Sequence, residues 1–283
     1  MLAGIQNEIR DAFRGRQNGV IQLLVVNCAL FLLIKIVDLF SWASGAGNLD
    51  YFFLHYLGLS PVPEQFFLKF WTLLTYSILH TELWHLAFNM IAFYIFGQIL
   101  QDFLGPRSIA RFYIAGALFG GLLFLLIANV LQTSFPTYQD AHLHGASGAL
   151  YGVICAAAFL VPDYSVNLLF FGPVRLKYVA LIFVLISLVQ IPASNPGGNI
   201  AHIGGAIGGV LYLRYLQGAF RFRFPTAKSR TKGGKVVPMG SGRRFANEEA
   251  ELDYLLDKIS DKGIHSLSKE EKNRLEELSK PKK

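Results

Sequence analysis

Six blocks of almost unbroken apolar sequence, at about 20–40, 82–100, 109–131, 147–162, 176–192 and 200–217, constrain this chain more than any other feature. A helix of about 20 such residues crosses the ~30 Å hydrocarbon layer of a bilayer. Inside that layer only helices and closed barrels can satisfy their own backbone. Composition agrees: 53% of residues are hydrophobic and 16% charged, against about 25% charged in soluble domains. A 283-residue globule in water could not hide that much apolar surface, which excludes a soluble enzyme. With 24 Phe, 12 Tyr and 3 Trp, intrinsic disorder is excluded as well. The fold class is therefore all-α, a polytopic membrane bundle of six transmembrane helices. Cys28 and Cys155 lie inside apolar blocks, without disulfide or metal-ligand spacing.

Basic residues orient the spans. Arg10, Arg14 and Arg16 precede the first, Arg107 and Arg111 follow the second, and Arg175 and Lys177 follow the fourth. Eight more, from Arg221 to Arg244, follow the sixth. The alternate loops hold only Lys69 (41–81) or no Lys or Arg at all (132–146 and 193–199). Both termini are expected on the cytoplasmic side, which an even span count requires. The first block follows a polar start of 19 residues and is too long and too charged for a signal peptide. Within it, Lys35 and Asp38 are expected to pair on one face. The net charge of +7 is accounted for by topology plus a juxtamembrane cluster facing anionic lipid, so no nucleic-acid partner is expected.

The loop 41–81 is rich in aromatics such as Tyr51, Phe52, Phe67 and Trp71, and is expected in the membrane interface. After the last span the composition changes. The chain reads as a cytoplasmic N-terminal segment (1–19), a membrane domain (20–217), a basic flexible linker (218–246) and a small cytoplasmic helical pair (247–283). In the pair, Leu252, Leu255, Leu256 and Ile259 form a helical stripe, Gly263 can end that helix, and Ser268 with Glu271 forms a capping box. That tail is either a solvated extension or a dock for an unknown partner.

Polar side chains inside spans are costly and usually functional. Three clusters qualify. In His144-Gly145-Ala146-Ser147-Gly148, the apolar run beginning at Ser147 has about 16 residues, or roughly 24 Å, too few to span. Its helix is expected to start below the bilayer surface in a wet pocket, where free N–H groups suit a serine nucleophile whose attack creates an oxyanion. Ser147 also reads as a helix N-cap, with Gly145, Gly148 and Gly152 serving close packing. In Ala201-His202-Ile203-Gly204-Gly205, extending to Gly209, the glycines allow close helix approach. That would put His202, expected in the first turn, within reach of Ser147 as a general base; His202 reads equally as an interhelical hydrogen-bond partner. In His80-Thr81-Glu82-Leu83-Trp84-His85-Leu86-Ala87-Phe88-Asn89, His85 and Asn89 share a helical face and offer donors to an oxyanion. Two His near Glu82 also suggest a metal site, but the HExxH pattern is absent. No metal and no cofactor are expected.

Taken together and in this order, these clusters resemble the rhomboid family of intramembrane serine proteases. The resemblance covers about 65–215. It rests on the His-x4-His-x3-Asn run (His80, His85, Asn89), the Gly-x-Ser-Gly motif (Gly145, Ser147, Gly148), and Ala-His followed by Gly-x3-Gly (Ala201, His202, Gly205, Gly209). It implies Ser147 as nucleophile and His202 as base, a dyad without an acidic third member. It implies an oxyanion hole of the Ser147 N–H, His85 and Asn89, Tyr151 packed on His202, and a structural His80 that holds the first loop. The substrates it implies are transmembrane segments of other proteins; the location is a bacterial inner (plasma) membrane. A catalytically silent relative that escorts transmembrane helices is the alternative, although such proteins generally lack the Ser, the His or both. Two departures stand out. Trp71-Thr72 replaces the family's Trp-Arg, removing that loop anchor, and Gln101 replaces a Glu four residues before Gly105, leaving at best a neutral hydrogen bond.

Overall fold

The computed structural model describes residues 18–130, 142–168, 172–219, 248–262 and 267–278, together with Phe13. The chain forms two compact units, Met1–Phe222 and Arg223–Lys283.

The first unit is built of helices whose ends the sequence marks. Helix α1 (Gly19–Ala43) is capped by Asn18, whose side chain accepts the Ile21 N–H. Two short helices, α2 (Asp50–Leu57) and α3 (Pro63–Leu68), and a turn of helix α4 (Thr72–Thr75) occupy the first loop. Helix α5 (Leu83–Leu104) stops at Gly105, which takes a φ of +80°. That left-handed residue, open to glycine at little steric cost, reverses the chain directly into α6 (Pro106–Val130). Helices α7 (Ser147–Leu160), α8 (Leu176–Gln190) and α9 (Pro196–Leu216) complete the bundle. Helices α1, α5 and α6 are long and apolar enough to cross a membrane, while α7 and α8 are apolar but shorter.

Helix α7 is the centre. All residues from Gly148 to Ala158 are buried, and α5, α6, α8 and α9 pack around it. The contacts with α6 and α9 are backbone to backbone. A Cβ on Gly116 would lie 2.9 Å from the Ala149 Cα, and one on Gly205 would overlap the Gly148 carbonyl oxygen. In lipid, where helix association gains little from burying apolar surface, such small-residue seams hold helices together.

Three expectations change. Lys35 does not pair with Asp38: its ammonium is 2.8 Å from Asp50 of α2, and Asp38 instead accepts the Leu49 N–H at 2.7 Å. Both contacts fold the first loop back onto α1, which brings the Asp50 carboxylate to Lys35 and the Leu49 N–H to Asp38. The link after α7 is not plain loop but an antiparallel hairpin of β1 (Ser165–Leu168) and β2 (Gly172–Arg175), with Val166 opposite Val174, so one small β element joins the helical fold. Helix α9 begins at Pro196 behind the N-cap of Asn195, whose side chain accepts the Gly198 N–H. His202 is therefore in the second turn. The first loop, which lacks the family's Arg, is cross-linked internally. Lys69 donates to the His55 carbonyl at 2.8 Å, the Trp71 indole to the Tyr56 carbonyl at 2.9 Å and Thr75 to the Leu57 carbonyl at 2.8 Å. Of the aromatics of that loop, Tyr51, Phe67 and Phe70 are exposed, whereas Tyr76 is buried. Gln101 accepts the Val20 N–H at 3.3 Å, a neutral contact to the start of α1.

The second unit contains α10 (Glu248–Lys262) and α11 (Lys269–Leu278). The capping box is present: Ser268 accepts the Glu271 N–H at 3.2 Å and the Glu271 carboxylate accepts the Ser268 N–H at 2.7 Å. Lys258 and Arg274 tie the helices through Glu271 and Glu251. Of the leucine stripe, Leu255 is buried and Leu256 is exposed. Gly263 and nearly all of the linker 218–246 lie outside the described residues, as does most of 1–19.

Candidate active site

The site is assembled on the seam between α7 and α9. Ser147 opens α7, and its N–H is one of those that helix geometry leaves without an intrahelical partner. The N-cap position is taken by Ala146, which makes no side-chain cap, so Ser147 is not the cap. Its Oγ is instead 2.8 Å from Nε2 of His202 on α9. The separation depends on the glycines. Gly205 lies three residues beyond His202 and meets the Gly148 carbonyl without a side chain between; one turn on, Gly209 meets the Gly152 carbonyl in the same way. The ring of Tyr151, one turn along α7, stacks on the His202 ring at 4.2 Å and 9°.

The residues before Ser147 are held by main-chain and side-chain pins. Leu59 and Leu143 exchange backbone hydrogen bonds of 2.9 Å, and Gly145 donates to the Tyr76 carbonyl at 2.9 Å. The Tyr76 hydroxyl donates to the Ala117 carbonyl at 2.7 Å. His80, completely buried, accepts the Ala146 N–H on Nε2 at 3.3 Å. It thus secures the residue beside Ser147 as well as the loop it belongs to. Gly145 has φ +106°, and a Cβ there would lie 2.5 Å from Cε1 of His85. Only glycine lets His85 stand over this turn.

A cavity of about 710 Å³ opens above the pair, lined by Ser147, His202, His85, Asn89, Tyr151 and Phe183 among others. Ser147, His202, His85, Asn89 and Tyr151 thus border one space, whereas His80 and the selected glycines lie behind it in the packing. Asn89 is not free within it: its amide donates to the His85 carbonyl at 2.9 Å and lies 3.5 Å from Nε2 of His80. Among the described residues no three His, Cys, Asp or Glu side chains converge to hold a metal ion.

Ser187 of α8 was not singled out from the sequence. Its Oγ lies 3.0 Å from Nδ1 of His202 and 2.8 Å from the Tyr151 hydroxyl, which in turn donates to the Phe183 carbonyl at 3.2 Å. The available signal was a polar side chain in the middle of the apolar run Ala180–Val189.

The rhomboid domain matches residues 68–218, and a family of unknown function, DUF6576, matches 243–281. Among curated proteins, the chain is 30% identical over 161 residues to RHOMBOID-like protein 12, mitochondrial, of Arabidopsis thaliana, covering 53% of this chain and 48% of that protein. It is 31% identical over 144 residues to Rhomboid protein 1, mitochondrial, of Saccharomyces cerevisiae, covering 50% and 40%. To Rhomboid protease GluP of Bacillus subtilis it is 30% identical over 141 residues, covering 50% and 25%. The similarity therefore spans half or less of each of these three proteins.

Proposed function

The chain belongs to the rhomboid family, and on that premise we propose that it is an intramembrane serine protease that cleaves transmembrane segments of other membrane proteins. The observation that carries this reading is the 2.8 Å contact between Ser147 Oγ and His202 Nε2 at the floor of an open cavity. In the reaction, Ser147 Oγ attacks the scissile carbonyl while its proton passes to His202 Nε2. The resulting imidazolium then protonates the leaving amine as the C–N bond breaks. Water hydrolyses the acyl-enzyme by the same route, with His202 again the base. The tetrahedral oxyanion is received by the Ser147 N–H, His85 and Asn89, and Asn89 turns its amide from the His85 carbonyl to do so. Tyr151 keeps the His202 ring from rotating away, while His80, Gly145, Gly148, Gly205 and Gly209 maintain the geometry.

The topology proposed is six spans, adding α7, α8 and α9 to the three long apolar helices, with both termini cytoplasmic and residues 247–283 as a cytoplasmic helical pair. It is supported by the alternation of basic loops. By name the similar proteins include mitochondrial ones, so placement in a bacterial inner membrane rests on the six-span form. Fluorophosphonate labelling of purified protein, beside cleavage of a transmembrane reporter, tests the chemistry. Both activities are expected in the wild type and in neither Ser147→Ala nor His202→Ala. Equal labelling of wild type and Ser147→Ala would remove Ser147 as the nucleophile. Reporter binding without cleavage or labelling would point to a helix-escort protein instead.

A further inference from the structure

Resting on that protease reading, we infer that Ser187 of α8 is a positioning residue that holds His202 in the tautomer able to accept the proton of Ser147. The assignment follows from the direction of a hydrogen-bond chain. Its last member, the Phe183 carbonyl, can only accept. The Tyr151 hydroxyl, 3.2 Å away, spends its proton there. Tyr151 must then accept from Ser187 at 2.8 Å. Ser187, its own proton committed, accepts from His202 Nδ1 at 3.0 Å. Nδ1 therefore carries the hydrogen of the neutral ring, and Nε2 is left bare to face Ser147 Oγ at 2.8 Å. A neutral imidazole has one donor nitrogen and one acceptor, chosen by the partners of each. Here the choice is made by a main-chain carbonyl of α8, relayed through two hydroxyls.

The placement of Ser187 argues against a purely local role. A serine within an apolar helix usually bonds back to the carbonyl four residues earlier. For Ser187 that carbonyl is Phe183, which accepts from Tyr151. Ser187 is 1% exposed on a helix whose neighbouring positions Leu185, Ile186 and Leu188 are all exposed. It is thus the polar point at which α8 reaches the Ser–His pair. The dyad gains the positioning group that its sequence lacks, as an uncharged hydroxyl in place of a carboxylate.

The test uses full-length protein in detergent, labelled with [15N]histidine. The His202 signals are identified by their loss in His202→Gln, since the chain holds 7 His. Wild type is expected to show a protonated Nδ1 and a bare Nε2. Ser187→Val, the same shape as Ser187→Thr without the hydroxyl, is expected to shift the ring toward protonated Nε2. It should also lower kcat on a transmembrane reporter by about tenfold, one neutral hydrogen bond's worth, with KM unchanged. Ser187→Thr restores the wild-type tautomer and kcat. Tyr151→Phe keeps the ring stack but removes the acceptor that orients Ser187, so it shifts the tautomer in the same direction. A wild-type ring protonated on Nε2, or equal kcat in Ser187→Thr and Ser187→Val, would overturn the inference. If the wild type fails to cleave any reporter yet shows the Nδ1–H tautomer, and Ser187→Val loses it, the positioning role stands and the protease reading falls.

Discussion

Replacing Gly205 by Ala tests whether the seam between α7 and α9 sets the distance between Ser147 and His202. A Cβ at this position would lie 2.7 Å from the carbonyl carbon of Gly148 and closer still to its oxygen. Favourable contacts between heavy atoms begin near 3.5 Å, so the helices must part by at least about 1 Å, the nearer oxygen demanding more. The obstacle is backbone on one side and the new methyl on the other, so neither can swing aside. Ser147 and Gly148 are adjacent, and His202 lies three residues before Gly205, so the opening is transmitted almost fully to the Ser147–His202 pair. Their contact would grow from 2.8 Å to about 4 Å or more, beyond hydrogen-bond range. Misplacement of reacting groups by 1 Å lowers rates by about 10²-fold, and overpacking lowers stability by about 1–3 kcal/mol. The assay is kcat on a reconstituted transmembrane reporter, with thermal unfolding in detergent to show that the variant is folded. A folded Gly205→Ala variant with kcat within about twofold of wild type would refute the claim that this close approach positions Ser147 against His202.

Two further outcomes follow from other parts of the site and its scaffold. Gly145→Ala forces a left-handed residue to carry a Cβ against the His85 ring; it is expected to lose roughly 1–2 kcal/mol and to slow fluorophosphonate labelling, and wild-type melting together with wild-type labelling would contradict this. Burial alone would raise the Asp50 carboxyl, but the hydrogen bonds from Lys35 and Asn48 outweigh it and hold it below the ordinary carboxylate value. A carboxyl lowered on folding adds stability above its unfolded value of about 3.9 and loses it as the pH falls through the folded value. The half-exposed Lys35–Asp50 pair is worth no more than about 1 kcal/mol. Wild type should therefore exceed Asp50→Asn in melting temperature at neutral pH and converge with it in acid, whereas a gap that stays constant across that range would show that the ion pair is not its source.

Much of the site was legible because intramembrane polar residues have few reasons to exist. Ser147, His202, His85 and Asn89 stood out against apolar runs, and glycines four apart marked the faces that could meet. Ser187 met the same criterion but was outnumbered by its apolar helix. Nothing in the spacing of residues within α8 tells which way one hydroxyl points. Asp50 was invisible as the partner of Lys35 for a related reason: sequence proximity favoured Asp38, whereas the folding back of a loop decides which carboxylate arrives.

The division has a physical basis. Long hydrophobic blocks act over a few turns, and the sequence by itself determined roughly where the long apolar helices lie and which small-residue faces could pair. It also determined the chemical types available to the cavity. Distances across the bundle depend on how several helices pack at once. Only the tertiary structure decided that α7 is the buried centre, that His202 stands in the second turn of α9, and that Asn89 is engaged with the His85 carbonyl. It decided the direction of the chain through Ser187 as well, because the order of donors and acceptors is set by a carbonyl on a third helix, and a linear pattern holds no record of which helices touch.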